Sequence, residues 1–256
     1  MSSVPCKTGT PCRKAETSFA FERDNRCGAP GSQYDPRPVE ALVEQREQVA
    51  AASRRLAAEG LVPGTAGNVS ARHEDRVAIS PTGAVLAELE AGDVSVVDLD
   101  GNQVGGSLEP TSELDLHLGV YRRYDAGAVV HTHAPMATAI SCVLQKELPC
   151  VHYQMLLLGG AVPIAPYRTF GTEALAESVL EALEGHTAAL MSNHGAISYG
   201  GDIGGAVENM LLLEWACGVY WHAAALGKPR VLGQEQLDAV VEQVVSRRYG
   251  QTKERE

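Results

Sequence analysis

The chain has no run of eighteen apolar residues, the length a membrane-spanning helix needs, and no hydrophobic stretch among its first thirty residues, where Lys7, Arg13, Lys14, Arg23 and Arg26 fall instead. Neither a transmembrane helix nor a secretory leader fits that pattern, so a cytoplasmic protein is expected. Positive charge is also scarce. Lys and Arg total 21 against 32 Asp and Glu, a net charge of −11, which excludes the phosphate backbone of a nucleic acid as a natural partner. An anionic ligand must then be held by local donors. Cysteines number six in 256 residues, too few for a disulfide framework in a chain of this size, and they read as reduced thiols. With 45% hydrophobic residues the chain can bury a sizeable core, and wholesale disorder is excluded.

The first 38 residues differ from the rest. They hold Cys6, Cys12 and Cys27, two of the three phenylalanines, several Gly, Pro and Ser, and no helical or strand periodicity. A structural zinc knuckle needs four ligands, and no histidine precedes His73, so residues 1–38 are expected to be a flexible extension. From Val39 the pattern turns helical: Leu42, Val49 and Leu56 recur every seven residues up to Gly60, predicting a helix over 38–59. Further helices are predicted over 112–124, 172–184, 203–226 and 234–248. The helix at 112–124 would start from a Ser112-x-x-Asp115 capping pattern. Strands are predicted near 77–80, 94–99, 128–133, 161–165 and 187–192, with turns at 64–67, 81–83 and 100–101. This alternation points to a single α/β domain over 39–250, a sheet covered by helices, followed by a polar tail at 251–256.

Three segments carry chemistry. In Val129-Val130-His131-Thr132-His133, side chains at i and i+2 of a strand share a face, so His131 and His133 can reach one metal ion while Thr132 points away. His194, where a buried strand gives way to a glycine turn, is a third candidate, and three imidazoles with an open position describe a catalytic zinc site. His73, His117, His152, His186 and His222 lack such geometry and are read as surface or structural. The second segment, Glu109-Pro110-Thr111-Ser112-Glu113, brings two hydroxyls and a carboxylate to a helix start, where free amides bind anions. The third, Gly64-Thr65-Ala66-Gly67-Asn68-Val69-Ser70 with Ser80-Pro81-Thr82-Gly83, offers small residues whose backbone donors can approach a phosphate. No Gly-Lys-Ser/Thr follows, so it is not a P-loop.

Taken in order, Gly-Thr-Ala-Gly-Asn-Val-Ser (64–70), Pro-Thr-Gly (81–83), Ser-Glu (112–113), Val-Val-His-Thr-His-Ala (129–134), His-Tyr (152–153), Ala-Pro-Tyr-x-Thr-Phe-Gly-Thr (165–172) and Asn-His-Gly (193–195) resemble the class II aldolase/adducin family over roughly residues 40 to 249. That resemblance implies a mainly antiparallel sheet covered by helices. It also implies a zinc-dependent, reversible retro-aldol cleavage of a deoxyketose 1-phosphate, such as L-fuculose 1-phosphate or a 5-deoxypentulose 1-phosphate, into dihydroxyacetone phosphate and an aldehyde. By position it makes His131, His133 and His194 the ligands of one zinc ion, and Glu113 the acid/base and a resting-state ligand. Gly67, Asn68, Thr82, Gly83, Thr111 and Ser112 become the phosphate pocket, with Thr111 in place of the usual serine. It implies a homotetramer with active sites at subunit interfaces, where Tyr153 would reach a neighbour's site and Tyr249 would belong to a mobile C-terminal segment. Within the same resemblance, a methylthioribulose 1-phosphate dehydratase would need the same metal and a similar glutamate. A 4-epimerase would typically carry Asp at Glu113. A non-catalytic adducin-like module would have no need of three histidines and Glu113 together.

Overall fold

The computed structural model describes residues 42–247. The predicted N-terminal extension, the polar tail and Tyr249 lie outside them. Nine strands form one sheet: β1 Asn68–His73, β2 Arg76–Ile79, β3 Ser95–Asp98, β4 Gln103–Gly105, β5 Ala128–Thr132, β6 Glu147–Leu148, β7 Val162–Ala165, β8 Ala188–Met191 and β9 Gly195–Gly200. Their spatial order is β4-β3-β2-β1-β5-β9-β8-β7-β6. Every named pairing is antiparallel except β7 with β8. The expected mainly antiparallel sheet is therefore present.

Six α-helices cover it: α1 Val43–Ala58, α2 Leu114–Arg123, α3 Pro135–Ser141, α4 Glu173–Ala182, α5 Ile203–Leu226 and α6 Gln234–Arg247. The two-residue alternation of a strand divides the core between the faces of the sheet. Val69, Ala71, Ala128, Val130, Ala188 and Leu190 pack with residues of α1, α3 and α5 on one face, while Val77, Ile79, Val129, Ala189, Met191 and Ile197 pack with residues of α2 and α4 on the other. Buried on both sides, β8 and most of β5 read as apolar runs. No helix among the described residues is long and apolar enough to cross a membrane.

Two local expectations are corrected. Helix α2 begins at Leu114 with Glu113 as its N-cap residue, and no side chain caps it. The Ser112-x-x-Asp115 capping pattern does not form; the Thr111 Oγ1 instead accepts from the Glu113 amide at 3.3 Å. The single strand predicted near 77–80 is the second arm of a hairpin whose first arm, β1, holds Asn68 and Ser70. Its small and polar residues, Asn, Ser and Ala, concealed it from a search for β-branched runs.

Candidate active site

Strand register converges the site residues. Asn68 of β1 stands opposite His131 of β5, and Thr132 of β5 stands opposite Ala196 of β9. The turn between β8 and β9 carries His194 back to the same end of β5. Two glycine features permit this. A Cβ on Gly195 would lie 2.3 Å from the Thr132 carbonyl oxygen, and one on Gly67 (φ +96°) would lie 2.9 Å from the His131 carbonyl oxygen. Only a residue with no side chain lets these backbones approach so closely. Asn193, just before His194, takes the left-handed conformation (φ 55°) that asparagine tolerates better than most residues.

The three imidazoles sit with ring centroids 4.9–5.0 Å apart. One nitrogen of each lies within 4.8 Å of the others. His131 is fully buried, and its Nδ1–H donates to the Ala196 carbonyl at 2.9 Å, which leaves the Nε2 lone pair facing the cluster. That nitrogen and His133 Nε2 are 3.1 Å apart. Two nitrogens held tetrahedrally by one zinc ion stand about 3.3 Å apart. Burial first, and then the neighbouring imidazoles, push His133 below the ordinary histidine range and His194 down to about 4. Burial lowers His131 too, against the opposing pull of Glu113. All three are thus neutral at pH 7, the form that binds metal.

Glu113 completes the cluster, with Oε2 3.2 Å from His131 Nε2 and Oε1 3.5 Å from His194 Nε2. Burial by itself raises this carboxyl. The facing His131, the Asn68 amide, His194 and His117 outweigh that and hold it below the usual carboxylate range. Its Oε1 is buried without a hydrogen-bond partner. An orphaned carboxylate oxygen beside three neutral imidazoles is a donor set that fits a divalent cation with a substrate position open.

The cluster forms the floor of a cavity of about 360 Å³. Of the residues singled out from the sequence, Gly67, Asn68, Thr82, Gly83, Thr111, Ser112, Glu113, His133 and His194 line it, while His131 lies beneath. The Ser80-Pro81-Thr82-Gly83 loop is laced to the segment before α2: the Thr82 amide donates to the Glu109 carbonyl at 3.0 Å, and the Thr111 amide to the Ser80 carbonyl at 3.2 Å. Neutral hydroxyls and amides therefore share one wall. The structure adds Tyr167, Arg168 and Phe170 to the lining. The sequence signalled them only as part of the 165–172 motif, with no chemistry attached. Tyr153 is not brought to this cavity; it lines a separate cleft with residues of α6, among them Val240, Val244 and Arg247. His117, read as structural, is fully buried behind Asn68 and is pushed down to about 3, first by burial and then by His131.

Comparison with known proteins decides the family. Residues 47–221, more than half of the chain, match the model of the class II aldolase and adducin N-terminal domain. The chain belongs to the class II aldolase and adducin family. It is 37% identical over 213 residues to 5-deoxy-D-ribulose 1-phosphate aldolase of Bacillus thuringiensis, covering 82% of this chain and 99% of that protein. It is 36% identical over 193 residues to a 5-methylthioribulose-1-phosphate/5-deoxyribulose-1-phosphate aldolase of Rhodospirillum rubrum, covering 75% and 86%. The solved structure of an L-fuculose 1-phosphate aldolase superposes with a TM-score of 0.75 at 31% identity, covering 79% of this chain and 96% of that one. As an enzyme, the chain is a class II aldolase, a carbon-carbon lyase.

Proposed function

We propose that this aldolase cleaves a 5-deoxypentulose 1-phosphate or the related L-fuculose 1-phosphate, reversibly, to dihydroxyacetone phosphate and an aldehyde, using one zinc ion held by His131, His133 and His194. The observation that carries the reading is the joint placement of a histidine cluster, an orphaned Glu113 oxygen and a wall of neutral donors around one cavity. The names of these two relatives favour the deoxypentulose substrate. Since both relatives are named aldolases, they also favour cleavage over dehydration.

The chemistry follows from the residues. Breaking the bond between C3 and C4 leaves negative charge beside the C2 carbonyl, and a zinc ion bound by the three imidazoles would supply Lewis-acid stabilisation of that charge. Glu113 moves the proton on the hydroxymethyl carbon of dihydroxyacetone phosphate, a task for a carboxylate held close to the reacting carbon. Thr82, Gly83, Thr111 and Ser112, with Gly67 and Asn68, hold the phosphate end and fix the orientation of the remainder. Tyr153, half-exposed and not part of the lining of its own subunit's cavity, serves the site of a neighbouring subunit, as a homotetramer with interfacial sites requires. Tyr249, outside the described residues, is assigned to the catalytic residues with Tyr153. The enzyme works in the cytoplasm.

The test is a retro-aldol assay coupled to detection of dihydroxyacetone phosphate over a panel of ketose 1-phosphates. Turnover should be greatest with 5-deoxyribulose 1-phosphate or L-fuculose 1-phosphate. Dehydration of methylthioribulose 1-phosphate without dihydroxyacetone phosphate would replace this reading with the dehydratase.

A further inference from the structure

Behind Glu113 and Asn68 runs a buried line of polar side chains, His117, Ser70 and Tyr121, that the metal and phosphate assignments leave unused. Helix α2 presents His117 and Tyr121 at four-residue intervals from Glu113, its N-cap, and β1 presents Asn68 and Ser70 two residues apart on the opposing face. The two sets interleave. Asn68 Nδ2 lies 2.9 Å from Glu113 Oε2, Asn68 Oδ1 faces His117 Nε2, and Ser70 Oγ lies 2.7 Å from both His117 Nδ1 and the Tyr121 hydroxyl. All five residues are buried.

The donor and acceptor inventory gives this line one direction. The ionised Glu113 carboxylate only accepts, so the Asn68 amide nitrogen must face it and the Asn68 carbonyl oxygen must face His117. A carbonyl oxygen only accepts, so His117 Nε2 must carry a hydrogen. His117 is neutral, so its Nδ1 accepts from the Ser70 hydroxyl, which in turn accepts from Tyr121, a phenol that burial keeps protonated.

We infer that His117, with Ser70 and Tyr121, is a positioning relay that locks Glu113 Oε2 as a hydrogen-bond acceptor and so assigns the proton-transfer role to Oε1. This deepens the aldolase reading and rests on it. In the cleavage direction, the electron pair of the broken carbon-carbon bond becomes the carbanion of the dihydroxyacetone phosphate fragment. Ionised Glu113 takes up on Oε1 the hydroxyl proton released as the aldehyde forms and delivers it to that carbanion as the new carbon-hydrogen bond, so the carboxylate ends ionised as it began. With the Asn68 amide donating to Oε2, Oε1 is the oxygen that no hydrogen bond engages and the one left to carry the proton. Without His117, the Asn68 amide loses the partner that holds its nitrogen toward Glu113, and the carboxylate can rotate.

The test has two independent readouts. In protein labelled with ¹⁵N at histidine, with the His117 signal assigned by its disappearance in His117→Gln, His117 should be a neutral imidazole protonated at Nε2, with metal bound or removed. Protonation at Nδ1 instead would overturn the inference, because it reverses the line and would turn the Asn68 carbonyl toward Glu113. This readout needs no substrate, so it is decided even if the aldolase reading fails. In turnover, His117→Leu should lower kcat about 10-fold to 100-fold, the usual cost of losing a supporting hydrogen bond, with KM and zinc content near wild type. His117→Gln, whose amide can both donate to Asn68 and accept from Ser70, should recover most of that loss. Equal losses in the two variants, or a loss confined to KM, would reduce His117 to a packing residue.

Discussion

Glu113 and the histidines around it make the sharpest demands. Glu113→Gln preserves the shape of the carboxylate and removes its ability to exchange a proton, so turnover should fall roughly 100-fold to 10,000-fold while zinc remains bound. His194→Ala should lose zinc and activity together, whereas His222→Ala, whose Nδ1 is spent on the Gly218 carbonyl, should keep both; metal analysis of the purified variants checks this. His117 adds a pH dependence. Burial depresses it from the ordinary 6.5 to about 3, so the unfolded chain binds a proton that the folded one refuses across that window. Its contribution is complete above about pH 6.5 and is lost as pH falls toward 3, at about 1.4 kcal/mol per unit. Denaturant titrations at pH 7.5 and pH 5 should show wild type losing about 2 kcal/mol more than His117→Gln. An equal loss would show that His117 is not the group responsible. Much of this was legible in the sequence. A His-x-His strand needs only the two-residue period to become a bidentate site, but His117 was not legible: its role comes from the facing side chains of β1, which no spacing along α2 reveals.

The elements were read with uneven success, for physical reasons. Helices α1, α2, α4, α5 and α6 announce themselves by periodicity or by unbroken apolar length; α2, α4, α5 and α6 lie within two residues of their predicted spans, and α1 ends one residue short of its own, its predicted first residues, 38–41, lying outside the described residues. Strand β9 escaped because Gly-Ala-Ile-Ser-Tyr-Gly has glycine at both ends and little β-branched content, yet its pairing with β5 and β8 is what delivers His194. Helix α3 escaped because seven residues give too few turns to show a period. The β8–β9 hairpin therefore invites a direct test. Gly195→Ala forces a methyl toward the Thr132 carbonyl, at a cost of roughly 1–3 kcal/mol. It should also displace His194, so its melting temperature should gain less from added zinc than that of wild type. A melting curve and zinc response equal to wild type would mean that the turn relaxes without moving the ligand.

Across the molecule, one sheet carries the whole constellation: β1, β5 with the residue that follows it, and the β8–β9 turn supply Asn68 and the histidines, and the cap of α2 supplies Glu113. The described residues leave Trp215, Trp221, Leu157 and Tyr153 well exposed, a distribution suited to subunit contacts. Light scattering should accordingly give the mass of four chains, and Tyr153→Phe should slow cleavage without loss of zinc. A fully active monomer would remove the case for Tyr153 acting in a neighbouring site. The most direct test of the account is the rate of dihydroxyacetone phosphate release from 5-deoxyribulose 1-phosphate, measured for the zinc-loaded wild type and zinc-loaded Glu113→Gln with metal content determined on the same samples. The account predicts rapid release from wild type and at least a roughly 100-fold slower release from the variant at equal zinc. Equal rates at equal zinc would contradict it.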